Sequence, residues 1–198
     1  MKHGGIVLPK DHSPALRIIA MVLYFIAIFI DIGRFIFQLM DGEFLLYDIA
    51  VLTFDTLFGL ALIFGLFKRN YSLIDLMLVI LKVYDGVFFI LNSLTKIDNG
   101  HINTLDFISN MFMVAAGVFS LLTFIFFCFH YYFEENKYWK WIESTVMLTG
   151  LLLLVSVILA TINFINQEVD WFYVVEFVAM CMQTFAIYFV CRYVQDYE

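Results

Sequence analysis

The chain has 198 residues, 63% of them hydrophobic and 15% charged, with a mean hydropathy of +0.91. A water-soluble domain is roughly 45–50% apolar and 25% charged, so this composition describes a polytopic membrane protein with no length to spare for a separate soluble domain. The formal net charge of −7 argues against a nucleic-acid-binding surface and against a basic patch for anionic lipid.

Residues 1–15 form a short polar, basic segment, expected on the cytoplasmic side, in which the Ser13-Pro14 pair opens a helix. The apolar run that follows is too long for a signal-peptide core and has no small-residue cleavage site, so an uncleaved first span is expected at 16–39. Its polar members are Asp31, Arg34 and Gln38, with Tyr24 seven residues before Asp31 on the same face. A short acidic loop with Asp41 and Glu43 leads to a second span at 45–67, which carries Asp48 and Asp55 seven residues apart and ends at Lys68-Arg69-Asn70.

The third span, 72–94, organises the rest, because it carries Asp75, Lys82, Asp85 and Asn92 at spacings of seven, three and seven. On a helix those positions stack into one stripe. An ionised side chain at mid-bilayer costs about 3 kcal/mol on insertion scales and more in simulation. The stripe must therefore face partners on other spans. A turn is expected in the loop 95–104 at Asp98-Asn99-Gly100.

The fourth span, 105–132, has Asp106 and Asn110 near its start and ends in an aromatic patch of Tyr131, Tyr132, Tyr138, Trp139 and Trp141, read as an interfacial belt. The fifth, 142–165, has only Ser156, Thr161 and Asn163 in its apolar body; the sixth, 171–193, carries Glu176 and Gln183, again seven apart, before a tail at 194–198. The expected fold is all-α, one bundle of six transmembrane helices spanning 16–193. Small-xxx-small pairs at Ala61/Gly65, Ala116/Ser120 and Ser156/Ala160 mark faces where helices can approach closely. The recurring seven-residue spacings have two readings, three related hairpins or heptad seams meeting in one core.

Orientation follows from the basic residues. With the N-terminus in the cytoplasm, the inner side holds Lys2, Lys10, Arg17, Lys68, Arg69, Lys137, Lys140 and Arg192, and the outer side only Lys96. Both termini are then cytoplasmic, in a membrane the sequence does not specify. Three cysteines give no disulfide framework. Cys128 and Cys191 lie near cytoplasmic span ends, where palmitoylation is chemically open, but read first as small apolar fillers. Four histidines lack metal-ligand spacing, so neither a metal nor another cofactor is expected.

A rise of ~1.5 Å per residue places Asp55, Lys82 and Gln183 near the midplane and Asp31, Arg34, Asp85, Asn92 and Glu176 in the outer half. Together these eight residues form the candidate site, a buried polar seam opening outward. Asp55 is the informative member: no base lies within a turn of it on its own helix, so it must reach Arg34 or Lys82, bind a cation, or hold a proton. Asp31/Arg34 and Lys82/Asp85, each three residues apart, are expected as local pairs.

An enzyme is not expected. Tyr47-Asp48 and Tyr84-Asp85 have the look of paired intramembrane aspartates, but the Gly-x-Gly-Asp motif of such proteases is absent. In size and span number the chain resembles substrate-binding subunits of vitamin uptake transporters. The segment Gly65-Leu66-Phe67-Lys68-Arg69-Asn70, with the aromatic-basic tail at 188–197, resembles small animal endolysosomal tetraspan proteins. No functional residue is carried over from either. The functional expectation is a small proton- or cation-linked transporter or channel centred on Asp55, Lys82 and Asp85. The alternative is a non-catalytic scaffold or accessory subunit whose ion pairs only specify packing. The partners expected are the lipid bilayer, a small cation or proton, and a further membrane protein or second copy of the chain.

Overall fold

The computed structural model describes residues 13–41, 46–98, 103–133, 137–166 and 171–195, with the side chains of 41, 46–48 and 98 excepted. The basic segment before residue 13, the side chain of Asp48, the turn at Asn99-Gly100 and the loop acids Glu43, Glu168 and Asp170 lie outside the described residues. Six α-helices result: α1 (Pro14–Asp41), α2 (Leu46–Lys68), α3 (Tyr71–Asp98), α4 (Thr104–Phe133), α5 (Lys137–Ile165) and α6 (Trp171–Gln195). Each coincides with one expected segment. The largest departure is at α5, which begins five residues early because its aromatic-basic start is helical. There Trp139 is buried, edge-on to Phe127 at 5.8 Å and 5.0 Å from the His130 ring. It belongs to the core and not to the expected interfacial belt, whereas Tyr132 and Trp141 remain exposed.

Helices α1, α2, α4, α5 and α6 each contain an apolar stretch long enough to cross a bilayer, with mean hydropathy from 1.8 to 2.5. The protein is thus a multi-pass integral membrane protein in contact with lipid. Its outer surface is correspondingly apolar, with Phe25, Phe29, Leu57, Phe64, Leu76, Leu91, Leu151 and Ile158 exposed. The sixth helix, α3, is 28 residues long and carries Asp75, Lys82, Asp85, Lys96 and Asp98.

The helices pack in sequence order, each on the next, and α6 closes the ring on α1. Local capping explains the tight α2–α3 corner. Arg69 sits at φ 55°, its N–H donates to Leu66 O at 3.3 Å, and Asn70 N–H donates to Gly65 O at 2.9 Å. That is a Schellman ending with arginine where glycine is usual. Asn70 then starts α3, its side-chain oxygen accepting from Leu73 N–H at 3.2 Å, and Asn103 caps α4 in the same way on Asp106 N–H at 2.8 Å.

The apolar core is in two parts. All six helices supply the first, through residues such as Tyr24, Leu66, Leu78, Phe127, Ile142 and Val190. The second, toward the other end of the bundle, is built from α3 to α6 around Phe89, Met113, Leu153 and Phe177. There α1 and α2 supply no buried apolar residue to the cluster; they supply Asp31, Arg34 and Asp55 to the interior instead. α2 shows the change along its own length. Gly59, Leu62, Gly65 and Leu66 are buried, whereas no side chain from 49 to 58 is.

Candidate functional site

The seam begins at a close contact between α3 and α4. Gly86 on α3 faces Gly117 on α4, and a Cβ at Gly117 would lie 2.9 Å from Gly86 O and 2.7 Å from an Ile90 methylene. This approach brings the α4 face of Ala116 and Ser120, both fully buried, against α3. Lys82 lies one turn before Gly86 and is itself fully buried. Its Nζ donates to Asp85 Oδ2 at 2.6 Å and lies 3.4 Å from the Ser120 hydroxyl. The expected local pair is present, with a hydroxyl from the neighbouring helix helping to satisfy the ammonium.

The other expected local pair is not formed. Arg34 reaches across to α6, with Nη1 3.4 Å from Glu176 Oε2. Asp31 accepts from Gln183 Nε2 at 3.0 Å, so α1 and α6 are tied twice. Glu176 also accepts from Asn92 Nδ2 at 2.9 Å and from Lys96 Nζ at 3.3 Å. Lys96 was expected in the outer loop. It lies in the last turn of α3 and folds back onto Glu176, its ammonium 4.2 Å from the centre of the Tyr173 ring. Its place one turn beyond Asn92 was the available signal, because residues four apart share a helix face.

Asp31, Arg34, Asp55, Asp85, Glu176 and Gln183 line one cavity together with Tyr84, Val51, Phe88, Phe89 and Met180. Six of the eight expected seam residues therefore converge there. Lys82 stands behind Asp85, and Asn92 behind Glu176. The cavity is about 10 Å³, about the room a single water needs, and much narrower than the outward-opening seam expected from the sequence. Asp75 is apart from it, lining a separate groove with Ser72, Leu76, Val79 and Tyr131.

Lys82 is taken by Asp85, Arg34 and Lys96 by Glu176, and Gln183 by Asp31. This leaves the Asp55 carboxylate with no hydrogen bond or ion pair among the described residues. Around the cavity four carboxylates (Asp31, Asp55, Asp85, Glu176) meet three cations (Arg34, Lys82, Lys96), one negative charge in excess. Tyr84 and Phe88 line it and stack at 5.7 Å, and behind them Phe54, next to Asp55, stacks on Tyr84 at 4.0 Å and packs on Phe58 at 4.1 Å.

Elsewhere the polar groups are spent on packing. The Ser109 and Ser156 hydroxyls each bond the other's backbone carbonyl between α4 and α5, at 3.3 and 3.1 Å. Thr123 bonds Thr145 at 2.8 Å, and Glu143 holds Arg192 at 2.9 Å. Among the described residues no three His, Cys, Asp or Glu side chains come together as a metal-binding group. Cys191 is buried in the core and closed to acylation, while Cys128 is exposed. The chain matches no protein-family model, no curated protein and no solved structure, so its own geometry carries the functional reading.

Proposed function

We propose that this protein moves protons, or couples proton movement to a solute, through the seam, and that it is not an enzyme. In this reading α3 crosses the bilayer with the other five helices, the N- and C-termini are cytoplasmic, and Asp55 is the group that takes up and releases the proton. One observation carries the reading: Asp55 lines a water-sized cavity with no ion pair of its own among the described residues, where four carboxylates meet three cations once Lys82 and Lys96 behind the lining are counted. A proton removes that excess, and it needs no wider passage than a single water can supply. The groups facing Asp55 across the cavity are Asp31 and Arg34 from α1, Tyr84 and Asp85 from α3, and Glu176 and Gln183 from α6. Lys82 holds Asp85 in an ion pair at 2.6 Å, so its ammonium is not directed at Asp55.

The test is proton flux in liposomes with a fluorescent pH indicator. Asp55→Asn is expected to abolish flux while leaving thermal stability in detergent near that of the parent, because Asp55 has no partner to lose. Equal flux from Asp55→Asn and the parent would remove the reading.

The scaffold alternative has its own observation. Among the described residues every ion in the seam other than Asp55 has a protein partner, and no helix is broken where the polar residues sit, whereas transporters usually need irregular backbone at their sites. Absence of flux from the parent protein would favour it.

A further inference from the structure

On the lipid side of the Phe54–Tyr84 pair lies a groove of about 460 Å³ lined by Phe54, Val79, Ile80, Val83, Tyr84 and Val87, within the size range of small-molecule sites. Its walls are almost wholly apolar, and Tyr84 lines both this groove and the polar cavity. One aromatic layer thus separates a hydrocarbon-sized slot from the carboxylate that lacks a partner. That layer stands on the half of α2 from 49 to 58, where no side chain is fully buried. Just beyond it α2 is pinned, since a Cβ at Gly59 would overlap the Tyr24 ring. Displacing Phe54 from Tyr84 therefore disturbs little packing, while the rest of α2 stays in place.

The geometry points to a lateral binding site for a single-chain primary amine dissolved in the membrane, with its hydrocarbon chain in the α2–α3 groove and its ammonium group on Asp55. This rests on the reading of Asp55 as the ionisable centre and names what exchanges with its proton. Charge complementarity selects the occupant. An anionic headgroup would meet Asp55, Asp31 and Asp85 with Arg34 and Lys96 already drawn to Glu176 and Lys82 to Asp85. A neutral alcohol would leave the excess charge uncompensated. A cavity of about 10 Å³ admits a group the size of water, which a primary ammonium is and a quaternary ammonium is not. Protonated amine and proton compete for one carboxylate, so binding of the one releases the other.

The experiment uses the full chain in lipid nanodiscs, with a dodecylamine carrying a diazirine on its chain as the photolabel. Crosslinks are mapped by mass spectrometry and competed with plain dodecylamine or dodecanol. Labelling is expected at Val79, Ile80, Val83 and Val87. Dodecylamine is expected to compete about tenfold better than dodecanol or more, the effect of one hydrogen bond to a charged group. In Asp55→Asn the two competitors become equal, while dodecanol competes as in the parent, which shows the groove intact. Val83→Trp fills the groove, and is expected to remove labelling at Val79, Ile80 and Val87. Equal competition by dodecanol in the parent, or undiminished groove labelling in Val83→Trp, overturns the inference. Flux without amine preference would sink this inference alone; amine preference without flux would sink the proton-movement reading alone.

Discussion

Lys82 is where the cost of burial can be read most directly. Its ammonium is fully buried and depends on Asp85 at 2.6 Å and Ser120 at 3.4 Å. Removing one partner of a buried pair commonly costs about 3–5 kcal/mol, whereas replacing both with apolar or neutral groups of similar size is often neutral. Lys82→Met is therefore expected to lower stability by about 3–5 kcal/mol, and Asp85→Asn in the same chain to restore most of it. Unfolding in detergent measures both. Recovery with Asp55→Asn in place of Asp85→Asn would mean the ammonium serves the cavity and not Asp85. At this scale the sequence was informative about which residues are buried, because an ionisable group inside a span has few places to go. It was less informative about partners. The local pair Lys82/Asp85 formed, but Asp31/Arg34 did not, since Glu176 on α6 offered Arg34 a carboxylate and Gln183 offered Asp31 a donor. Helical spacing cannot rank a neighbour on the same helix against one on a helix whose place in the ring is unknown.

At the scale of elements, glycine positions separate contacts that matter from those that do not. Gly117 meets the Gly86 carbonyl and Ile90, and a backbone carbonyl cannot swing aside. Gly117→Ala is expected to force α3 and α4 apart at a cost of about 1–3 kcal/mol. Gly33 on α1 has nothing within 4 Å of its Cβ direction. Gly33→Ala should be tolerated, or should gain up to about 1 kcal/mol from helix propensity. Denaturation in detergent of the two variants side by side gives the comparison, and equal behaviour would show that the Gly86–Gly117 approach is not a tight contact. The Gly86–Gly117 approach was not visible in the sequence, where the two residues fall in different spans and fit no small-xxx-small pair. The pairs that were visible proved uneven. Ala116, Ser120, Ser156 and Ala160 are all fully buried, whereas of the α2 pair Gly65 closes the α2–α3 corner against Ile74 and Ala61 is only half-buried. The seven-residue rhythm has a packing explanation: it puts Asn92 opposite Glu176, and Gln183 opposite Asp31, as heptad seams meeting in a common core would.

For the whole molecule, composition and hydropathy were enough to anticipate six helices and nearly all their bounds, because a span must be long, apolar and continuous. They could not anticipate the ring order or the loosening of α2, which depend on how six apolar cylinders share one polar interior. The helix with the most charge, α3, bears most on that arrangement. Its 28 residues are long enough to cross, at ~1.5 Å per residue against a hydrocarbon core of ~30 Å. Its ionisable residues Lys82 and Asp85 are turned inward, away from lipid, which suits a bilayer position. Ser72 and Thr95, both exposed, stand at its two ends. If α3 crosses with the N-terminus cytoplasmic, Thr95→Cys should react with a membrane-impermeant maleimide in intact cells, and Ser72→Cys only after permeabilisation. Both are made in a Cys128→Ser background, because Cys128 is the exposed native thiol. Reaction of both from the same side would mean α3 does not cross. Reaction of Ser72→Cys alone from outside would keep the six-span bundle but invert it, placing Arg69 and Lys68 outside against the distribution of basic residues. The seam would survive that inversion, since its pairs are internal, but the side from which a proton reaches Asp55 would be reversed.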